Sequence, residues 1–234
     1  MKVRIKYTKS GNLRFIGHLD VMRFFQKAVK RAGFDIAYSK GYSPHQLMSF
    51  AAPLALGVTS EGEYFDAEFH TVVSSEEFVR RFNEQMVEGM AVNDVILLPD
   101  NAKNSMSIVA GSDYLITIQE SVPKETRKEL LNAANQLLNM DSIEIFKKTK
   151  KSEKIEDIRP GIFELLVKED KLYMLLATGS EYNLKPELVI EALCREIDYP
   201  YEKFDYRIHR IETYMKNDDG KLVSLLESGT RIGE

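Results

Sequence analysis

The chain has 234 residues, 44% of them hydrophobic and 29% charged, enough apolar material for one large folded domain or two of about 100–120 residues each. Its net charge of −4 hides two opposed blocks: residues 1–50 carry ten Lys/Arg against two Asp/Glu, and residues 51–100 carry two against ten. No apolar run approaches the roughly 20 residues that cross a bilayer, and the opening alternation does not read as a signal peptide, so a cytoplasmic protein with no membrane partner is expected.

Residues 2–9 alternate, with Val3, Ile5 and Tyr7 on one side and Lys2, Arg4 and Lys6 on the other, which predicts a half-buried strand. A helix follows from about Leu19 to Ala32 and stops at Gly33. Its apolar stripe is Val21, Met22, Phe25, Ala28, Val29 and Ala32, and Arg23, Lys27, Lys30 and Arg31 share the opposite face. A strand is expected at Asp35–Tyr38, then a long loop over 40–60. A second alternating strand covers 63–70, with Asp66 and Glu68 opposite Arg4 and Lys6 on an open sheet face. Ser74 and Glu77 form a capping box for a helix carrying Phe78, Phe82 and Met86 and closed by Gly89, and Val92–Leu98 is a strand. The order is β-α-β-β-α-β, the ferredoxin-like unit.

The second half follows the same order. Strands are expected at 114–118, 143–146, 162–167, 172–176 and 204–214. Pro123 opens one helix, and Asn183 caps another with Pro186 in its first turn. The predicted architecture is α+β: two ferredoxin-like (βαββαβ) domains in tandem with antiparallel sheets. The N-terminal domain is 1–104, with its basic first helix and motif loops, and the C-terminal domain is 105–234.

Chemistry-bearing motifs are few. Phosphate-loop, dinucleotide, zinc-protease and nucleophile-elbow patterns are all missing, so neither a cofactor nor a metal is expected. The lone Cys194 excludes an internal disulfide and a Cys₄ zinc or iron–sulfur site, and reads as a small core residue. His18 follows Gly17 at the start of the first helix, where backbone N–H groups can hold a phosphate and a neutral imidazole can act as a base. The plainer alternative is a capping histidine. His45 follows Pro44 in a loop, suited to packing or to ligand contact. His18 and His45 with Asp20 or Glu63 form a conceivable metal set that the spacing does not support. His70 is expected in a cross-strand pair and His209 facing solvent. The Lys147–Lys154 run is either a solvated turn or a phosphate contact.

Four segments together, Arg14-Phe-Ile-Gly-His-Leu-Asp-Val-Met-Arg23, Arg31-Ala-Gly33, Tyr38-Ser-Lys-Gly-Tyr-Ser-Pro-His45 and Leu56-Gly-Val-Thr-Ser-Glu-Gly-Glu-Tyr64, resemble the bacterial radical-SAM-linked protein family. The resemblance continues weakly through Asp157-Ile-Arg-Pro160 and His209-Arg-Ile-Glu-Thr-Tyr214, and departs at Tyr42-Ser43, where Phe-Asn is more usual. It implies a stand-alone member in an RNA context, or an accessory to a radical-SAM enzyme acting in trans. The chain itself lacks the three cysteines that radical-SAM chemistry needs.

These readings converge on a non-catalytic RNA-binding or accessory module. Its expected RNA-binding set is Arg14, His18, Arg23, Lys27, Lys30, Arg31, Tyr42, His45 and Ser60, with Tyr42 and Phe50 stacking on bases. The partner is RNA, a ribonucleoprotein or the radical-SAM enzyme. Docking to that enzyme would use an apolar surface of Tyr42, Leu47, Met48, Phe50 and Leu54. A third reading is a metal-independent endoribonuclease using His18. It is similar at the level of fold to the CRISPR repeat-processing enzymes.

Overall fold

The computed structural model describes residues 1–148 and 153–233, the side chains of 147, 148, 153 and 154 excepted, so the middle of the Lys147–Lys154 run and all its side chains lie outside what is described. Strand β1, Lys2–Lys9, follows from the alternation, and Val3, Ile5 and Tyr7 enter the core. Helix α1, His18–Arg31, packs Val21, Phe25, Ala28 and Val29 on the same core, and Gly33 past its end takes φ +68. The chain continues through β2, Met48–Phe50, and β3, Thr59–Glu68. Helix α2, Ser75–Asn83, is capped as its box predicts: the Ser74 hydroxyl accepts from the Glu77 N–H. It ends at Glu84, well before Gly89. Strand β4, Met90–Leu97, and a single turn α3, Ser105–Ile108, follow.

Next come β5, Val109–Ile118; α4, Lys124–Leu137; the hairpin β6, Glu144–Lys148, and β7, Glu153–Asp157; β8, Ile162–Lys168; β9, Lys171–Ala177; and α5, Pro186–Glu196. The last strands are β10, Tyr206–Lys216, β11, Leu222–Ser224, and β12, Thr230–Arg231. The chain divides into two compact units, 1–110 with 210–234, and 111–209. Both are mixed α/β, with sheet pairing that is mostly antiparallel. In the first, the strands lie in the order β12-β4-β1-β3, with β2 and β10 on the far side of β3. In the second, the order is β10-β5-β9-β8, and β6 and β7 form a separate ladder. No helix among the described residues is long and apolar enough to cross a membrane.

Several expectations need correction. The strand at 35–38 is reduced to single bridges, Ile36 to Phe69 and Tyr38 to Gln46. The backbone turns just after α1, where the Ile36 N–H bonds the Phe34 carbonyl, and β2 takes up the ladder against β3 instead. The segment 210–234, assigned above to the second half, packs with the first unit.

The reason is chemical. Arg4 does sit opposite Asp66, but the pair is sealed, with side chains 0% and 2% exposed. Its guanidinium grips the carboxylate through Nε at 2.8 Å and Nη2 at 3.1 Å. Its remaining donors reach Ser228 Oγ, the Leu225 carbonyl and the Lys103 carbonyl, while the Ser105 N–H also donates to Asp66. Lys6 pairs with Glu212 at 2.6 Å rather than with Glu68, and the Tyr64 hydroxyl donates to that same Glu212. Burial, with Glu212 adding to it, pushes the Tyr64 phenol far above its ordinary range. The polar side of the sheet is therefore covered, not open.

Removing one partner of such a pair strands a buried charge. Arg4→Met should lower unfolding stability by about 3–5 kcal/mol in urea titration. The double variant Arg4→Met/Asp66→Leu should regain much of that loss. A single variant costing under about 1 kcal/mol would show that the pair is not the tie described.

Candidate functional site

Beneath the turn that leads into α1 lies a second buried polar group. Lys9 is 2% exposed, and its ammonium donates to the Ile16 carbonyl at 2.9 Å. Burial holds its pKa below the ordinary lysine range, against the opposing field of Glu63. Glu63 is itself buried and accepts from Arg210 at 2.9 Å, and Arg210 also reaches the Ala52 carbonyl. The Gly57 N–H bonds the Arg14 carbonyl. Charged groups from β1 and β10 thus fasten two irregular segments, 10–17 and 51–58, and so place the start of α1.

His18 stands at that start, after Gly17, which caps the helix without a side chain. Its ring meets Phe50 edge-on at 5.4 Å. Burial lowers its pKa below 6.5; Glu63 opposes this and Lys9 adds to it. Its surroundings therefore favour the neutral imidazole over the charged one. His45 is elsewhere: it hydrogen-bonds Ser39 at 2.8 Å and lines a small cleft with Lys2, Asp66 and Glu68. Among the described residues no three His, Cys, Asp or Glu come together to hold a metal ion, so the set of His18, His45 and Asp20 or Glu63 is not assembled.

The remaining expected residues separate cleanly. Ser60 is fully buried and accepts from the Gly62 N–H, which leaves it no surface for a ligand. Phe50 is 8% exposed and packs among Tyr7, Phe25 and Phe65, so it cannot stack on a base. Leu54 is buried as well, so two of the five residues of the expected apolar docking surface belong to the core, while Leu47 and Met48 are half-buried and Tyr42 is exposed. Arg23, Lys27, Lys30, Arg31 and Tyr42 are exposed, and Arg14 is half-buried. Arg23 meets Asp20 at 3.5 Å in an exposed pair, and Arg31 donates to the Gln85 carbonyl. Among the described residues Lys27 and Lys30 pair with no carboxylate.

The sequence reading missed the exposed apolar neighbours of this face: Phe15, Leu19, Tyr38 and Leu56. Phe15 lies within the first quoted motif, between a Gly11 turn at φ +57 and the cap, and that placement was the available signal. The other family-like segments are structural. Asp157 accepts from the Ile143 and Arg159 N–H groups, which hold its carboxyl below the usual range, and Arg159 ties the Leu138 and Ile162 carbonyls. Cys194 is buried 3.0 Å from the Tyr206 hydroxyl, and burial raises its thiol, so it is not a reactive nucleophile.

The His18 imidazole should titrate below 6.5 by NMR, and Phe50→Ala, which admits water, should move the midpoint up toward 6.5. The depressed pKa makes folding stability complete above pH 6.5, with a decline as pH falls through the folded value. A midpoint at or above 6.5 in the unaltered protein would contradict this account.

A comparison with curated proteins finds no match. Among solved structures, a chain in the crystal structure of a Cbf5-Nop10-Gar1 complex is similar, at 10% identity and a TM-score of 0.48. The match covers 93% of this chain and 50% of that one, so this chain spans about half its length, and so distant a likeness carries no functional argument. A family model described as an uncharacterised protein conserved in bacteria (DUF2344) matches residues 2–186, and the chain belongs to that family.

Proposed function

We propose that this protein is a non-catalytic module that binds RNA through the outer face of α1. The observation that carries the reading is the fate of the N-terminal basic block. Arg4, Lys6 and Lys9 are consumed internally, whereas Arg23, Lys27 and Lys30, at helical spacing, stand exposed on one stripe. Arg14 and Arg31 flank that stripe. Such a positive face attracts phosphate even in a chain of net charge −4.

We also read each unit as ferredoxin-like. Support comes from the strand orders β4-β1-β3-β2 and β10-β5-β9-β8, each with one helix after its first strand and one after its third. A cytoplasmic setting is part of the same proposal.

A second reading, docking to a radical-SAM enzyme in trans, rests on the sequence resemblance and on the exposed Leu19 and Leu56. Salt separates the two. With Arg14, Arg23, Lys27, Lys30 and Arg31 on phosphate, log K for labelled total RNA should fall with log salt at a slope of roughly −3.5 to −4.5. Lys27→Glu/Lys30→Glu should flatten that slope by about 1.5 and weaken binding at low salt. Absence of RNA binding, with salt-resistant capture of a radical-SAM enzyme, would replace the first reading by the second. Cleavage of RNA in EDTA that His18→Ala abolishes would make the protein a nuclease instead.

A further inference from the structure

We infer that the α1 face is a platform for an unpaired polynucleotide strand, held by stacking as well as by charge. This rests on the reading of that face as a phosphate-binding surface and names its ligand class. Each end of the helix carries a cation already laid over an aromatic ring. At the N-terminal end the Arg14 guanidinium lies 4.7 Å from the centre of the Phe15 ring, which is 59% exposed. Toward the C-terminal end the Lys30 ammonium lies 5.8 Å from the centre of the Tyr38 ring, which is 42% exposed. Between them run Arg23 and Lys27. The loop after Tyr38 carries the fully exposed Tyr42 and is tied to α1 by the Gln46 amide, which donates to the Gln26 carbonyl.

A duplex would use the cations alone, because its bases are stacked on each other and hidden from side chains. An unpaired strand offers phosphates to the cations and free π-faces to the rings. Exposed rings otherwise sit against water at a cost, and here three of them accompany a row of exposed cations. The 14-residue helix is about 21 Å long, which accommodates several nucleotides.

Fluorescence anisotropy with a labelled oligouridine, a labelled oligothymidine and an RNA duplex of equal charge tests this on the full chain. The unpaired strands should bind at least tenfold more tightly than the duplex. Phe15→Leu, Tyr38→Leu and Tyr42→Leu should each weaken single-strand binding by about tenfold, with the salt slope unchanged. Circular dichroism on each variant checks that the fold is retained. A preference for oligouridine assigns the strand as RNA and the reverse as DNA; either supports the platform. Equal binding of duplex and single strand, unmoved by the three leucine variants but weakened by Lys27→Glu/Lys30→Glu, overturns stacking and leaves phosphate binding intact. Binding to none of the three probes overturns both.

Discussion

A guanidinium and a carboxylate withdrawn from water must satisfy nearly every donor and acceptor they own, because the cost of leaving one unpaired exceeds what the attraction between them returns. Arg4 and Asp66 meet that demand with parts from two distant stretches: residues 103–105, and Leu225 with Ser228, supply the partners. The strand pairing that brings Arg4 opposite Asp66 therefore obliges the segments around Lys103 and Leu225 to lie over the same face. Leu225 completes the cover by burying its side chain against Ala51, Tyr64 and Val109. The apolar side of the sheet needs no such arrangement. There α1 and α2 supply ordinary hydrophobic packing around Phe25, Phe65, Phe78 and Phe82.

Much of this was legible from local rules. The period-two alternation of β1, the Ser74 cap and the left-handed Gly33 act within a few residues, so a sequence window contains the whole cause. What escaped notice depends on partners far away. Glu212 lies 206 residues from Lys6, and nothing near Lys6 indicates that Glu212, not Glu68, will receive its ammonium. Phe50 was misread for a related reason: an aromatic in a long loop looks exposed until the loop is found folded onto Tyr7 and Phe65 as β2. At the candidate site the cations were legible because helical spacing alone sorts them from the core stripe. The burial of Ser60 was not, because it depends on where β3 meets its neighbours in the sheet.

The two charge blocks divide their roles in consequence. Carboxylates at Asp66 and Glu63 neutralise Arg4 and Arg210 inside the first unit, and among the described residues Lys27 and Lys30 of α1 pair with no carboxylate. The buried ties also act on the surface indirectly. Lys9 holds the carbonyl next to Gly17, so the position of the exposed Phe15 and the start of the helix depends on a charge that no ligand touches. This is how a largely structural set of buried ions comes to shape the outer face.

The discontinuity of the first unit has a consequence for its biogenesis. Residues 1–110 leave the ribosome long before 210–234, and at roughly 5–20 residues per second the intervening unit occupies several seconds or more of synthesis. Throughout that interval Arg4 lacks Ser228 and the Leu225 carbonyl, Lys6 and Tyr64 lack Glu212, and Glu63 lacks Arg210. The inserted unit, 111–209, is by contrast synthesised as one continuous stretch. For the part of the molecule that carries α1, the buried charges are therefore synthesised well before the C-terminal groups that satisfy them.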